Sequence, residues 1–281
     1  MDVAEVLREY WDLKPAGLEV LCGGMNSAVW LASGAEWRVV LKSVDRGDSG
    51  FAPGLELAVR LDGAGIPTGR PYPSKYGRLV ERVDGRQVAV LDYIDGEPLG
   101  AGDQAEIGDL LARAHSAAAL EIGEVAQWLQ FLLPFEDCLD LEPWIRPAIE
   151  DAVADAIALG PLSWSWLHGD PAAEAFIRQL NGDIALIDWG SALRGPILYD
   201  VASAVMYCGD PVVPAYLHRR PDLADEVERA LPTFLRVRWS VQAGYFAWRI
   251  TNNVLTGIAH PTENLKGLAF APGVKGECRQ A

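Results

Sequence analysis

The hydrophobic pattern of the chain changes near residues 93–98, and this change constrains the fold more than any other feature. Before it, short apolar segments alternate with glycine-containing turns, which is typical of β-strands and hairpins. After it, apolar residues recur at helical spacing, as in the segment 107–114. We therefore predict an α+β fold with a β-rich domain at residues 1–95 and a helical domain at residues 96–281. A ligand cleft is expected at the boundary.

Individual elements follow from the same pattern. Helices are predicted at residues 2–12 and 54–64, and longer helical stretches at 121–160 and 222–256. The predicted strands are 18–21, 28–32, 37–44, 79–83, 86–93, 175–180 and 184–188. The last two are joined by an Asn-Gly-Asp turn and should form a hairpin.

Two carboxylates end short apolar segments on either side of this hairpin. Asp170 closes the motif LHGD and Asp188 lies in the motif IDWG, 188 − 170 = 18 residues later. A hairpin between them would bring both side chains to one edge. One carboxylate could then accept a proton from a substrate hydroxyl while the other holds Mg²⁺. The alternative is that both are solvated loop acids.

These motifs resemble the catalytic and metal-binding motifs of the aminoglycoside phosphotransferase family, relatives of choline kinase with a protein-kinase-like fold. Other segments resemble further family motifs in the same order, between residue 18 and about residue 205. They are the glycine-rich loop LCGGMNSAVW (21–30), the strand VVLK (39–42), the hinge YIDGEPL (93–99), the helix LLARAHS (110–116) and the helix start LYDVA (198–202). The resemblance implies a two-lobed kinase with a β-rich N-lobe that binds nucleotide and a helical C-lobe.

The resemblance also implies roles for single residues. Asp170 would be the catalytic base and Asp188 the Mg²⁺ ligand, while His168 would hold the catalytic loop by hydrogen bonds. Lys42 would neutralise the phosphates of ATP or GTP, and Glu56 on the next helix would orient Lys42. The residues expected to contact the nucleotide are Gly23, Gly24, Asn26, Ser27, Lys42, Glu56, Asp92, Tyr93 and Ile94.

One position departs from the family pattern. The family has an asparagine five residues after the base, where it holds a second metal ion, but here this position is Ala175. Alanine cannot ligate a metal. Glu174 is expected to supply the missing oxygen, because carboxylates are good Mg²⁺ ligands. The alternatives are an enzyme that uses one metal ion and a protein that does not catalyse.

The acceptor is predicted from the charge of the segment 121–155. This segment has nine acids and one base, a balance of 1 − 9 = −8, and the whole chain has a net charge of −15. Its aromatic residues are Trp128, Phe131, Phe135 and Trp144. Acids interleaved with aromatics favour a cationic acceptor such as an aminoglycoside, or a basic cyclic peptide of the viomycin and capreomycin kind, with resistance as the implied role. Besides Asp170, the expected acceptor contacts are Glu136, Asp137, Tyr245 and Arg249.

Composition excludes some classes of binding partner and indicates where in the cell the protein is found. The acidic balance argues against nucleic acids and anionic membranes as partners. The four cysteines form no CxxC pair, and no uncharged apolar run reaches the length of a membrane helix, so a cytoplasmic protein is expected. Two alternatives remain open: a kinase of choline, homoserine or a sugar, and a nucleotide-binding pseudokinase. The oligomeric state is left open.

Overall fold

The computed structural model of the protein describes residues 1–21, 25–100, 102–129 and 136–271. The chain forms two compact units. The first is made of residues 1–100 and 173–193, and the second of residues 101–172 and 194–281. The hairpin segment therefore belongs to the first unit, whereas the predicted domain boundary assigned it to the helical part. The boundary at residues 95 and 96 stays a prediction.

An antiparallel sheet forms the centre of the first unit. Its strands are β1 (Gly17–Leu21), β2 (Ser27–Ser33), β3 (Arg38–Asp45), β4 (Pro71–Tyr72), β5 (Glu81–Val83) and β6 (Arg86–Asp92). They are arranged in the order β1-β2-β3-β6-β4, and β5 also pairs with β6. Strands β1, β2, β3, β5 and β6 overlap those predicted from the alternation of apolar segments and turns, whereas β4 was not predicted.

Two helices cover opposite faces of this sheet, α1 (Val3–Trp11) and α2 (Phe51–Gly63). Helix α1 buries Leu7 against Leu41 and its neighbours, and helix α2 buries Phe51 against Val44. Because side chains alternate between the faces of a strand, Lys42 lies on the same face as Val44, the face that α2 covers.

The segment 173–193 forms the predicted hairpin. Strand β10 (Phe176–Gln179) pairs with β11 (Ile184–Leu186), with Phe176 opposite Leu186. Strand β7 (Gly96–Pro98) adds to the other edge of β10 and makes a three-stranded sheet.

The second unit is mainly helical. Its helices are α3 (Gln104–Ala117), α4 (Val125–Trp128), α5 (Ile145–Ala158), α6 (Leu198–Cys208), α7 (Val212–Arg219), α8 (Ala224–Thr251) and α9 (Thr262–Ala269). A small sheet has the order β12-β9-β8, formed by β8 (Glu121–Gly123), β9 (Leu162–Leu167) and β12 (Leu193–Pro196). In the described part of the chain, no helix is long and apolar enough to cross a membrane.

The prediction of helix over residues 121–160 is wrong at its start. Residues 121–123 form strand β8, in which Ile122 pairs with Ser163. A Cβ atom on Gly123 would lie 2.6 Å from the indole of Trp164, so a glycine is needed where this ring packs on the strand. The contact is tertiary, and the helical spacing of the neighbouring sequence does not show it.

Candidate active site

Lys42 and Asp188 form an ion pair within the first unit, between Nζ and Oδ1. The Lys42 side chain is 13% exposed and that of Asp188 is 53% exposed, so the ammonium group is largely buried while the carboxylate remains accessible. Glu56 is exposed on α2, and among the described residues the salt bridge of Lys42 is to Asp188. Among the described residues Lys42 therefore pairs with Asp188 and not with Glu56, and the role expected of Glu56 stays a prediction.

The backbone at Asp188 is held in an unusual conformation. Its φ of 66° lies in the left-handed region, which costs a non-glycine residue about 1–3 kcal/mol. Hydrogen bonds fix both sides of it: the N–H of Ile187 donates to the carbonyl of Ala175 at 2.8 Å, and the indole N–H of Trp189 donates to the carbonyl of Leu186 at 2.7 Å. This framework directs the carboxylate of Asp188 to Lys42.

Helix α2 supports the same segment through a close contact at Gly54. A Cβ atom added to Gly54 would lie 1.9 Å from the carbonyl oxygen of Trp189, a distance that no side chain can accept. The helix therefore approaches the residue after Asp188 backbone to backbone. The sequence analysis gave Gly54 no role, since a glycine inside a helix gives no sign of which backbone it touches.

Replacing Gly54 by alanine should lower the free energy of unfolding by about 1–3 kcal/mol, because the methyl group must displace the Trp189 backbone. Chemical denaturation would measure the change. Gly63 in the same helix is the matched control, since a Cβ there would meet no atom within 4 Å. Gly63→Ala should leave stability unchanged or raise it by about 0.4–1 kcal/mol. Equal effects of the two substitutions would contradict the assigned contact.

Half-buried apolar side chains share the sheet face of Lys42. Val29 is paired with Lys42 on the neighbouring strand, and Val40 is paired with Leu91. Positions 40 and 42 are two residues apart on β3 and therefore point to the same face. The strand alternation could have identified Val29 and Val40 as neighbours of the lysine, and the sequence analysis missed them.

The predicted hinge follows strand β6. The hydroxyl of Tyr72 donates to the Asp92 carboxylate, and this hydrogen bond raises the pKa of Tyr72 to about 12. The Asp92 side chain therefore already has a partner. Arg38 lies 4.7 Å from the ring centre of Tyr93 and forms a 2.6 Å salt bridge with Asp95.

Backbone groups of the hinge remain available. In the described part of the chain, the N–H groups of Tyr93 and Ile94 have no hydrogen-bond acceptor. Exposed backbone groups at this position suit a planar, polar ring such as a nucleobase. Of the predicted phosphate-binding loop, Gly23 and Gly24 lie outside the described residues.

The remaining two predicted loop residues precede and begin β2. Asn26 is exposed in the turn, and Ser27 is the half-buried first residue of the strand, opposite Val44.

Asp170 lies in the second unit, shortly after strand β9. Its Oδ1 atom accepts hydrogen bonds from the hydroxyl of Tyr207 and from Nη2 of Arg238, both at 2.8 Å. Its side chain is 50% exposed. The carboxylate is therefore anchored through one oxygen while part of it faces solvent. Tyr207 and Arg238 were not predicted as site residues.

A buried acid holds the loop that carries Asp170. Asp200, at 0% exposure, accepts hydrogen bonds from the backbone N–H groups of His168 at 2.6 Å and Gly169 at 2.9 Å. It also contacts Nε2 of His115 at 3.1 Å, and Nδ1 of His115 lies 2.8 Å from the Tyr216 hydroxyl. His115 and Asp200 lie in the motifs LLARAHS and LYDVA, and neither residue was predicted to have a role.

Two further residues with predicted roles near Asp170, His168 and Glu174, can be placed. The His168 ring is buried, and its Nδ1 atom accepts the N–H of Asp170 at 3.4 Å. Glu174 is exposed in a short 3-10 turn, Ala173–Ala175.

The carboxylates of Asp188 and Glu174 are of the type that binds Mg²⁺, but they are only two. This ion usually takes one or two protein carboxylates together with phosphate oxygens and water. The exposed carboxylates of Asp188 and Glu174 meet that requirement. In the residues that the structure describes, no group of three or more His, Cys, Asp or Glu side chains forms a complete protein cage for a metal ion.

The acidic segment 121–155 is partly neutralised. Three of its nine acids form salt bridges with arginines: Glu121 with Arg194, Asp140 with Arg146, and Asp155 with Arg236. The other six are exposed and have no salt bridge within the described residues: Glu124, Glu136, Asp137, Glu142, Glu150 and Asp151. Glu136 and Asp137, the predicted acceptor contacts, thus remain accessible.

The aromatic residues of the segment 121–155 were expected to contact the acceptor through cation–π interactions. Trp128 is buried, with its ring 4.9 Å from that of Tyr199, and belongs to the core. Phe131 and Phe135 lie outside the described residues. The cation–π role expected for Trp128 is therefore corrected, because its ring faces are packed.

Arg249 also has a different role from the predicted one. It is fully buried on α8, and its guanidinium donates to the side chain of Asn264 at 2.8 Å, to the Tyr245 hydroxyl at 3.0 Å and to the carbonyl of Thr256 at 2.7 Å. This network anchors the chain that follows α8. The prediction that Arg249 contacts the acceptor is wrong. Tyr245, the other residue of α8 predicted to contact the acceptor, uses its hydroxyl to accept a hydrogen bond from Arg249.

The chain is similar to a known enzyme family and to individual kinases. The model of a family described as "Phosphotransferase enzyme family" matches residues 18–234. The homoserine kinase of Caulobacter vibrioides is 25% identical over 215 residues, which are 70% of this chain and 68% of that protein.

Solved structures show the same fold. An amicoumacin kinase in complex with AMP-PNP, Ca²⁺ and its ligand "Ami" has a TM-score of 0.72 at 16% identity, with 98% of this chain and 93% of that chain covered. Aminoglycoside phosphotransferase APH(4)-Ia, in a ternary complex with AMP-PNP and hygromycin B, gives 0.65 at 18%, covering 98% and 96%. The choline kinase LicA from Streptococcus pneumoniae gives 0.65 at 17%, covering 95% and 97%. The predicted protein-kinase-like α+β fold is confirmed.

Proposed function

The chain belongs to the phosphotransferase enzyme family, and from this premise we propose that it transfers the γ-phosphate of ATP to a hydroxyl of a cationic antibiotic and so confers resistance. The observation that carries this proposal is the ion pair of Lys42 and Asp188. It joins a largely buried cation on an apolar strand to an accessible carboxylate, which are the two charges that a metal–triphosphate complex requires.

In this proposal the first unit binds the nucleotide. The adenine ring lies on the apolar face that includes Val29 and Val40 and bonds to the free N–H groups of the hinge. Lys42 neutralises phosphate oxygens, and Asp188 with Glu174 would hold Mg²⁺. The bound metal would neutralise the negative charge that develops on the phosphates.

The second unit supplies the base. Asp170 accepts the proton of the acceptor hydroxyl as the new bond to phosphorus forms. Phosphoryl transfer depends on position and charge neutralisation more than on strong basicity, so a carboxylate is sufficient. Asp200 contributes by holding the backbone of the loop.

A cationic acceptor is supported by the six exposed acids of the segment 121–155 that have no salt bridge within the described residues. Two of the similar structures also contain a second ligand: the amicoumacin kinase is in complex with Ami, and APH(4)-Ia is in complex with hygromycin B. The similarity to homoserine kinase supports a second candidate, a kinase of a small metabolite. Homoserine has a single amino group and does not require an acidic surface.

A transfer assay separates these candidates. Purified protein is incubated with Mg²⁺ and ATP or GTP across aminoglycosides, basic cyclic peptides, choline and homoserine, and phosphorylated product is detected by mass spectrometry. Product from a cationic antibiotic alone supports the proposal. Product from homoserine or choline alone replaces it with the metabolite kinase, and nucleotide binding without any product indicates a pseudokinase.

Glu174 provides a test of the metal site. Glu174→Ala should raise the Mg²⁺ concentration needed for half-maximal turnover by about tenfold, because one carboxylate ligand is lost. The measurement is a magnesium titration at saturating nucleotide. Glu97→Ala, which removes another exposed acid of the first unit, is the control. An unchanged titration curve for Glu174→Ala would remove this residue from the site.

A further inference from the structure

Tyr207 and Arg238 form a closed triangle with Asp170. Nη2 of Arg238 donates one hydrogen bond to Oδ1 of Asp170 at 2.8 Å and another to the Tyr207 hydroxyl at 2.7 Å. The hydroxyl in turn donates to the same Oδ1 at 2.8 Å. Every edge of the triangle thus has a normal donor–acceptor distance for a hydrogen bond.

The arginine of this triangle cannot move easily. Arg238 is 4% exposed, and its Nε donates to the buried hydroxyl of Ser203 at 2.9 Å. Its Nη1 donates to the side chain of Gln242 at 3.3 Å. A guanidinium that is bonded through all three nitrogens has a fixed plane and a fixed position.

The tyrosine keeps its proton in this setting. Burial raises the pKa of Tyr207, so the phenol stays neutral and remains a donor. Since Tyr207 and Arg238 both occupy Oδ1, the other oxygen of Asp170 has no protein donor within the part of the chain that the structure describes. The Asp170 side chain is half exposed, which leaves Oδ2 as the oxygen open to a ligand.

We propose that Tyr207 and Arg238 are positioning residues that clamp Oδ1 of Asp170 and thereby assign Oδ2 as the atom that receives the acceptor proton. This inference rests on the proposed function. In the reaction, the acceptor oxygen bonds to the γ-phosphorus while the bond from phosphorus to the β–γ bridging oxygen breaks. ADP leaves with that electron pair, and the hydroxyl proton passes to Oδ2.

The clamp predicts a loss in turnover without a loss in binding. Tyr207→Phe should lower kcat about tenfold and Arg238→Met about a hundredfold, because a misplaced base reduces the fraction of reactive complexes. The KM values for nucleotide and acceptor should stay within about twofold, as expected for residues that act only on the transition state.

Arg236→Met is the matched control. Arg236 lies two residues away on the same helix and pairs with Asp155 instead. The kcat of the Arg236→Met variant should equal that of the unmodified protein. Unchanged kcat in Tyr207→Phe and in Arg238→Met would overturn the clamp, and so would a kcat loss of the same size in the control.

A thermal double-mutant cycle tests the clamp without any need for turnover. Asp170→Ala removes the counter-charge of a buried arginine, so it should lower Tm, and Arg238→Met should lower it too. The double variant should lose clearly less than the sum of the two losses, because the groups interact directly. Additive losses would overturn the clamp.

The kinetic experiment and the thermal cycle distinguish failure of the clamp from failure of the proposed function. Unmodified protein that transfers no phosphate in the panel overturns the proposed function and the catalytic part of this inference. The thermal cycle in the same samples still decides whether Asp170 and Arg238 are coupled.

Discussion

Asp170→Asn should reduce kcat by about 10²–10⁴-fold, the usual contribution of a positioned general base. Asparagine keeps an Oδ1 atom that accepts from Tyr207 and Arg238, so the loop should retain its structure. What is lost is the capacity of the second oxygen to take a proton. Steady-state kinetics with the acceptor identified by the panel would measure the change.

The control for this variant is an exposed aspartate of the same unit. Asp210→Asn removes one negative charge from the start of the α7 region and should leave kcat unchanged. A decrease of less than about threefold in Asp170→Asn would show that Asp170 is not the base, since base catalysis contributes at least about 10²-fold.

Asp200→Ala should lower the free energy of unfolding by about 3–5 kcal/mol. It removes the acceptor of two buried backbone N–H groups and of the buried His115 ring. The two backbone N–H groups and Nε2 of His115 would then lose this partner in the core. Urea denaturation followed by tryptophan fluorescence would give the change in stability.

A surface pair is the contrast for Asp200. Asp109 forms a partly exposed ion pair with Arg219, and such pairs contribute about 0–1 kcal/mol. Asp109→Ala should therefore cost far less than Asp200→Ala. Similar losses in the two variants would mean that Asp200 does not hold the loop.

The sequence predicted those parts of the fold that depend on local pattern. Turn residues and alternation indicated the strands of the first unit, and the Asn-Gly-Asp turn indicated the hairpin of β10 and β11. Asp170 and Asp188 could be identified because each lies in a short motif at a fixed place in the chain.

Contacts between distant positions could not be predicted in this way. Arg238 is 68 residues from Asp170, and Tyr207 is 37 residues from it, with no pattern that joins them. Arg249 has the same side chain as Arg238 and was expected to bind the acceptor. Its guanidinium instead donates hydrogen bonds to Asn264 and Thr256, which follow α8 in the chain. Burial and partner decide the role of an arginine, and both are tertiary properties.

The path of the chain through the two compact units has a consequence for biosynthesis. The first unit needs residues 173–193, which carry Asp188, in addition to residues 1–100. Since a chain is synthesised from its N-terminus, the sheet that bears Lys42 is made before the segment that carries Asp188, and residues 101–172 are synthesised between them. The first unit, with its lysine–aspartate pair, is therefore completed only after most of the first half of the second unit has been synthesised.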